Sequence, residues 1–297
     1  MSISVESLKC FAEAARVLNF RAAARAVALS PAALGQRIRQ LEDQLGTSLF
    51  HRTTRAVVLT EAGLRLLPHA LAALEAVEVC RRAGSGDLAP TPMELVVGTR
   101  HELGLSWLVP MLQPLETALP GVTLHLYFGS GEDMVARVRS LAIDCAVTST
   151  RLVDPKLDGI RLHDERYAFV GNTAALKRAP LKTAADAKRH TLFDTTEALP
   201  LFRYWRDAPG PLDSLDFGRV VRLGTIAAIR QQVLRGLGVA VLPAYFIDGD
   251  VKAKRLTKLF PSVEPLHDAF RLVFRADDPR RSLFTRLAAH LASAPLT

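Results

Sequence analysis

The chain has 297 residues, 49% hydrophobic and 23% charged, with a formal net charge of +8. That length suits two or three packed units, and the apolar share excludes an intrinsically disordered chain. No apolar stretch approaches the ~18 residues of a membrane span, and the first residues, with acidic Glu6, lack a signal-peptide pattern. A cytoplasmic protein without membrane contact is therefore expected.

The basic charge is concentrated. Residues 1–90 hold 11 Lys/Arg against 8 Asp/Glu, yet six arginines (Arg21, Arg25, Arg37, Arg39, Arg52, Arg55) lie between residues 20 and 55 against only Glu42 and Asp43. Such a local excess suits phosphate contact. Cys10, Cys80 and Cys145 are far apart and have no CxxC or Cys/His ligand spacing. Buried free thiols are expected, with no zinc, no other metal and no cofactor.

In chain order, Ser4 can cap a helix through about Leu18, with Leu8, Phe11, Ala12, Ala15 and Leu18 on one face. Asn19-Phe20 interrupts. An alanine-rich helix over residues 21–28 follows, and its small side chains let another helix approach closely. Ser30-Pro31 then marks a sharp helix start, and Gly46 stops that third helix after about Leu45. Leu34, Ile38, Leu41 and Leu45 make a narrow apolar stripe on it. The other side presents Ala32, Ala33, Gln36, Arg39 and Gln40, with Arg37 on the flank.

Glutamine and arginine read base edges by paired hydrogen bonds, and the helix start behind Ser30 can hold a phosphate. The expected DNA contacts are therefore Ser30, Pro31, Ala32, Ala33, Gln36, Arg37 and Gln40. A two-stranded wing follows, residues 49–52 and 56–59 around the turn Thr53-Thr54-Arg55. Arg52, Thr53, Thr54 and Arg55 are placed there for backbone or minor-groove contact. An amphipathic surface helix and a solvated hairpin are the plainer readings of each piece, and the tandem spacing argues against them.

The pattern from Phe11 and Phe20 through Ala23-Ala24, Leu29-Ser30-Pro31-Ala32-Ala33-Leu34, Ile38, Leu41-Glu42, Leu45-Gly46, Leu49-Phe50, Arg52, Leu59-Thr60 and Ala62-Gly63 resembles the DNA-binding domain of LysR-type transcriptional regulators. Three positions depart from that pattern. Gly35 stands where a serine is frequent, Gln36-Arg37 reverses the usual order, and Arg21 stands in place of a frequent serine cap on the second helix. The operator sequence is where these departures would act.

Beyond Thr60, residues 61–83 read as a long helix. Leu64, Leu67, Leu71 and Leu74 are spaced like a coiled-coil seam, which Leu66, Ala70, Ala73 and Val77 widen. Packing on its own chain is the alternative; dimerisation is preferred, and the resemblance implies a dimer of dimers. Gly84-Ser85-Gly86 and Pro90-Thr91-Pro92 read as a hinge.

Strands and helices then alternate. Strands are expected at 94–98, 122–128, 145–148, 168–171, 220–223, 239–242 and 272–274. Helices are expected at 105–119, 132–141, 226–234 and 282–292. This alternation argues for parallel sheets with crossover helices. Leu95-Val-Val-Gly98, Pro120-Gly121-Val122, Asp144-Cys145-Ala146-Val147 and Gly236-x-Gly238-x-x-x-Leu242-Pro243 resemble the regulatory domain of the same family, which is like a periplasmic solute-binding protein. The resemblance implies two α/β lobes with a ligand cleft.

The expected fold is α/β overall. A winged helix-turn-helix (1–62) is followed by a linker helix and hinge (63–92) and a two-lobed effector-binding domain (93–297). Lobe I spans about 93–163 and 267–297, and lobe II about 164–266.

Ligands of open α/β sheets sit at strand carboxyl ends and helix starts. Thr99, Arg100, His101, Ser130, Thr148, Ser149 and Thr225 occupy such places, and Phe202 could wall the pocket. Hydroxyls, free N–H groups and Arg100 suit a carboxylate or similar anion; a solvated loop is the plainer reading of each.

Enzyme signatures are missing. Gly129-Ser130-Gly131 is not a hydrolase elbow, Gly236-Leu-Gly238 lacks a third glycine, and neither a Walker motif nor HExxH occurs. With Cys145 alone in the C-terminal region, an intradomain disulfide switch is excluded and peroxide sensing is not expected. The favoured function is a non-enzymatic, sequence-specific regulator of promoter DNA controlled by a small-molecule effector. The alternative is a solute-binding or catalytic α/β protein with an accessory helical domain.

Overall fold

The computed structural model describes residues 3–52, 57–85, 92–210 and 215–296. The expected wing turn Thr53-Thr54-Arg55, with Ala56, lies outside the described residues, as does most of the expected hinge from Gly86 to Thr91.

Three helices open the chain: α1 (Val5–Val17), α2 (Phe20–Ala26) and α3 (Pro31–Leu45). Ser4 caps α1, its hydroxyl accepting from Ser7 N at 3.1 Å. Asn19 caps α2, its Oδ1 accepting from the Arg21 and Ala22 amides at 3.0 and 3.1 Å. This corrects the expected place of that cap: the helix starts one residue before Arg21, and the asparagine does the work a serine would do. Ser30 caps α3 and Gly46 closes it in the left-handed region at φ 67°. Phe11, Ala14, Ala23, Ala24, Leu34, Ile38 and Leu41 are fully buried where the helices meet.

Strands β1 (Phe50–Arg52) and β2 (Val57–Leu59) pair antiparallel, Phe50 opposite Leu59. Thr60 starts helix α4 (Glu61–Ser85): its hydroxyl donates to Ser48 O at 2.7 Å and accepts from Gly63 N at 3.0 Å. The leucine seam divides. Leu67 and Ala70 are buried in the core of the first three helices, whereas Leu71 and Val77 are 42% and 44% exposed. The periodicity therefore serves the chain's own core first and leaves only the later part of α4 open.

The rest of the chain builds two five-stranded sheets. The first has the order β4-β3-β5-β12-β6, from β3 (Met93–Thr99), β4 (Val122–Phe128), β5 (Cys145–Thr148), β6 (Leu157–Glu165) and β12 (Asp268–Arg275). Its helices are α5 (His101–Leu103), a π-helical turn (Gly104–Leu108), α6 (Val109–Ala118), α7 (Gly131–Arg139) and the closing α12 (Arg281–Ser293).

The second sheet has the order β11-β7-β10-β8-β9, from β7 (Tyr167–Asn172), β8 (Thr191–Asp194), β9 (Arg219–Arg222), β10 (Val239–Pro243) and β11 (Leu256–Lys258). Helices α8 (Thr173–Arg178), α9 (Pro200–Arg206), α10 (Ile226–Leu234) and α11 (Ala244–Lys252) flank it.

The sheets are mixed, not parallel throughout. β3, β4 and β5 are parallel, but β12 runs antiparallel to β5 and β6; β7 runs antiparallel to β10 and β11. The odd strands are those on which the chain has just arrived from the other sheet. Arg166 alone separates β6 from β7. No crossover helix intervenes there to impose a parallel return.

Cys10 and Cys145 are buried, but Cys80 is exposed on α4, contrary to the expectation of three buried thiols. Among the described residues no helix is long and apolar enough to cross a membrane. The helical unit rests on the first sheet's lobe: Glu61 pairs with Lys156 at 2.6 Å, and Leu141 packs against the helical core.

Close packing also sets the α4 start. A Cβ on Gly63 would lie 2.3 Å from the Leu49 carbonyl oxygen. Gly63→Ala should therefore destabilise the chain by about 1–3 kcal/mol, read as a lower urea midpoint at unchanged slope; an unchanged midpoint would contradict this packing.

Candidate nucleic-acid interface and effector cleft

Helix α3 has one face fully buried and the other open. Leu34, Ile38 and Leu41 are 0% exposed, while Pro31, Ala32, Gln36, Arg39 and Gln40 are exposed and Ala33 and Arg37 half-buried. Ser30 ties down the first turn by accepting from Ala33 N at 3.1 Å. Arg21 and Arg25 on α2 are also exposed.

Arg52 has a different place from the one expected. Its guanidinium donates to Glu42 Oε2 at 3.0 Å and lies over the Phe20 ring, 4.5 Å from the centroid. Glu42 also accepts from Leu49 N at 2.8 Å. Arg52 is thus a strut holding the wing to α2 and α3, and sequence reasoning missed Glu42 as its partner.

In the first lobe, the ends of the neighbouring strands β4, β3 and β5 bring the expected effector residues together, since Thr99 is level with Phe128 and with Val147. Ser130 caps α7, accepting from Asp133 N at 3.2 Å. A Cβ on Gly131 would lie 2.2 Å from Thr150 Oγ1, so the start of α7 abuts the end of β5. Thr148 Oγ1 donates to Thr150 Oγ1 at 3.0 Å. Thr150 belongs to this cluster and was not anticipated; only its place two residues beyond Thr148 could have signalled it. Ser149 is half-buried, and His101 is exposed with its ring 5.3 Å from that of Phe128.

Arg100 is committed. It donates to Glu165, whose side chain is 0% exposed, in a short ion pair, and it lies 5.2 Å from the Phe270 ring. Burial, the largest single influence, opposes its charge, but Glu165 together with Tyr245 and Tyr167 raises its pKa on balance. The isolated cation expected for an anionic ligand is therefore already neutralised.

From the second lobe, Thr225 caps α10, accepting from Ala228 N at 3.2 Å. The adjacent Ala227 amide donates to Glu102 Oε1 of the first lobe at 3.3 Å. Phe202 is no pocket wall: it is 5% exposed in the second lobe's core, against the rings of Trp205 and Phe217 at 5.7 and 5.4 Å. The apolar spacing of α9 carries it inward, and buried Asp194 holds its amide at 2.8 Å.

Residues 5–64 match the model for "Bacterial regulatory helix-turn-helix protein, lysR family", and residues 90–295 match "LysR substrate binding domain". The chain belongs to the LysR family of transcriptional regulators. It is a DNA-binding regulator with an effector-binding domain.

This LysR-family chain is 28% identical over 295 residues to a probable hydrogen peroxide-inducible genes activator of Mycobacterium avium, covering 96% of this chain and 92% of that one. It is 28% identical over 281 residues to the glycine cleavage system transcriptional activator of Escherichia coli K12, covering 91% and 86%. In fold it is similar to full-length LysG of Corynebacterium glutamicum with bound effector Arg, at a TM-score of 0.70 and 18% identity over 98% and 99% of the two chains.

Burial pushes the Cys145 thiol well up, and Asp144 adds to the effect; burial also raises Cys10. Neither environment favours a reactive thiolate. Ellman's reagent should therefore label Cys80 promptly in the native protein and Cys10 and Cys145 only on unfolding. Rapid native labelling of Cys145 would contradict its burial.

Proposed function

We propose that the open face of α3 reads duplex promoter DNA through Gln36, Arg37 and Gln40. Ser30, Pro31, Ala32 and Ala33 set its first turn against the backbone. The wing turn Thr53-Thr54-Arg55, with Arg52 behind it, adds a second contact. The observation that carries this reading is the division of α3 into a fully buried stripe and an exposed Gln/Arg face behind a capped N-terminus. The helix needs no more burial, and its exposed side chains match base edges.

Two copies pair through the exposed later part of α4, where Leu71, Val77 and Val79 face solvent, and two such pairs form a tetramer. A dimer spaces two recognition helices for an inverted repeat. In the regulatory half, a small-molecule effector carrying an anionic group sits between the lobes, against Thr99, Ser130, Thr148 and Ser149 on one side and Thr225 on the other. Arg100 and His101 line the approach. By favouring one lobe arrangement, the effector shifts the spacing of the DNA-binding units. The protein acts in the cytoplasm and catalyses no reaction.

A duplex selected from a randomised library gives the test. Arg37→Ala should weaken binding to the selected duplex by about 5–100-fold in mobility-shift titrations, corresponding to about 1–3 kcal/mol. Wild-type log affinity should fall linearly with log salt. No measurable affinity at low salt would sink the reading. Retained regulatory activity after deletion of residues 1–62 would favour a solute-binding or catalytic protein instead.

A further inference from the structure

Leu141 stands where the backbone geometry suits glycine. It follows α7 in a left-handed conformation, φ 59°. Leu141 N donates to Val138 O at 3.2 Å and Ala142 N to Arg137 O at 2.9 Å, which closes the turn. The same turn ends α3 and α10, where Gly46 and Gly236 hold it. A leucine there carries a backbone cost that glycine avoids. Ala28 and Lys254 carry it too, but as exposed residues. Leu141 is half-buried and packs against the core of the helical unit. A strained conformation kept at such a contact points to a use for the side chain.

An ion network joins the same two bodies. Glu61, the first residue of α4, pairs with Lys156 at 2.6 Å and Arg139 at 3.9 Å, and Arg139 pairs with Asp154 at 3.3 Å. Arg139 is the last residue of α7. These side chains are partly exposed, so the pairs orient the two bodies more than they hold them. The apolar contact of Leu141 is what holds.

The other end of α7 lies in the cleft. Ser130 caps it, and Gly131 abuts Thr150. Nine residues, about 13 Å of helix, separate the two ends. Met134 and Val138 are its buried residues, and a helix this short is marginal without support at its ends. The chain between β5 and β6 runs the same course, with Thr150 at the cleft and Asp154 and Lys156 at the helical unit. A ligand beside Ser130 and the helical unit on Leu141 therefore act on one small folding unit. Whichever orders α7 first lowers the ordering cost for the other.

We propose that Leu141 couples the effector cleft to the DNA-binding unit. Its side chain docks the helical unit on the far end of α7, and α7 carries the state of that dock to Ser130. Leu141 is a positioning residue that acts through α7. This rests on the cleft reading above and adds a route that lies within one chain.

The test uses the full chain, with the selected duplex as the probe and hydrogen exchange of residues 131–139 as the readout. By linkage, a saturating duplex should slow that exchange in the wild type by about fivefold or more. Leu141→Gly and Leu141→Asn both accept the left-handed turn, so both should fold, bind the duplex and lose the slowing. Leu141→Met keeps an apolar side chain and should keep it.

No slowing in the wild type, equal slowing in Leu141→Gly and Leu141→Asn, or its loss in Leu141→Met would each overturn the proposal. A cleft that binds no small molecule would sink the cleft reading, while the duplex-linked exchange would still decide this one.

Discussion

Arg100 leaves the end of β3 and pairs with Glu165, the last residue of β6 before the chain crosses between lobes. The rest of the regulatory half is arranged around that crossing. Arg166 alone links the two sheets on the way out, and its carbonyl accepts from Ala244 N at 2.8 Å. On the way back, Leu266 N donates to Tyr204 O at 2.7 Å, and Tyr204 also bonds Asp268, the first residue of β12. Tyr167 stacks on Tyr204 with centroids 3.8 Å apart. Short, tied crossings let two packed bodies turn against each other with few residues absorbing the change. A buried ion pair contributes little net stability but is costly to break from one side, so Arg100–Glu165 fixes geometry at the crossing.

The DNA-binding unit follows the same economy on a smaller scale. Glu42, on the last turns of α3, accepts from the Leu49 amide and from Arg52. That one carboxylate sets the wing relative to α3. Arg52 is drawn away from a free role at the wing by Glu42 and by the Phe20 ring.

Where local chemistry decides an element, the sequence is legible to the residue. Residues 226–234 and 145–148 are read with the bounds observed, and α3 begins at Pro31 behind Ser30 as its cap predicts. Where neighbours decide, it is not. β6 alternates poorly, with half-buried residues along most of its length. β8 and β11 are short, and α9 begins at Pro200 behind Leu199, which holds a left-handed φ of 49°. The leucine spacing of α4 states that a face is apolar but not whose core it enters. Leu67 and Ala70 went to their own chain because α1 lies against α4.

The candidate sites divide in the same way. The sequence alone determined the helix-turn-helix, the exposed face of α3, and the strand ends that carry Thr99, Ser130 and Thr148, because capping, periodicity and the strand-to-helix turn are local. Tertiary structure alone decided that Arg100 is neutralised, that Phe202 is core, and that Glu102 reaches α10. Arg100 and Glu165 are 65 residues apart, and Glu102 and Ala227 are 125 apart. Contacts at such separations depend on how two lobes pack, which no spacing along the chain records.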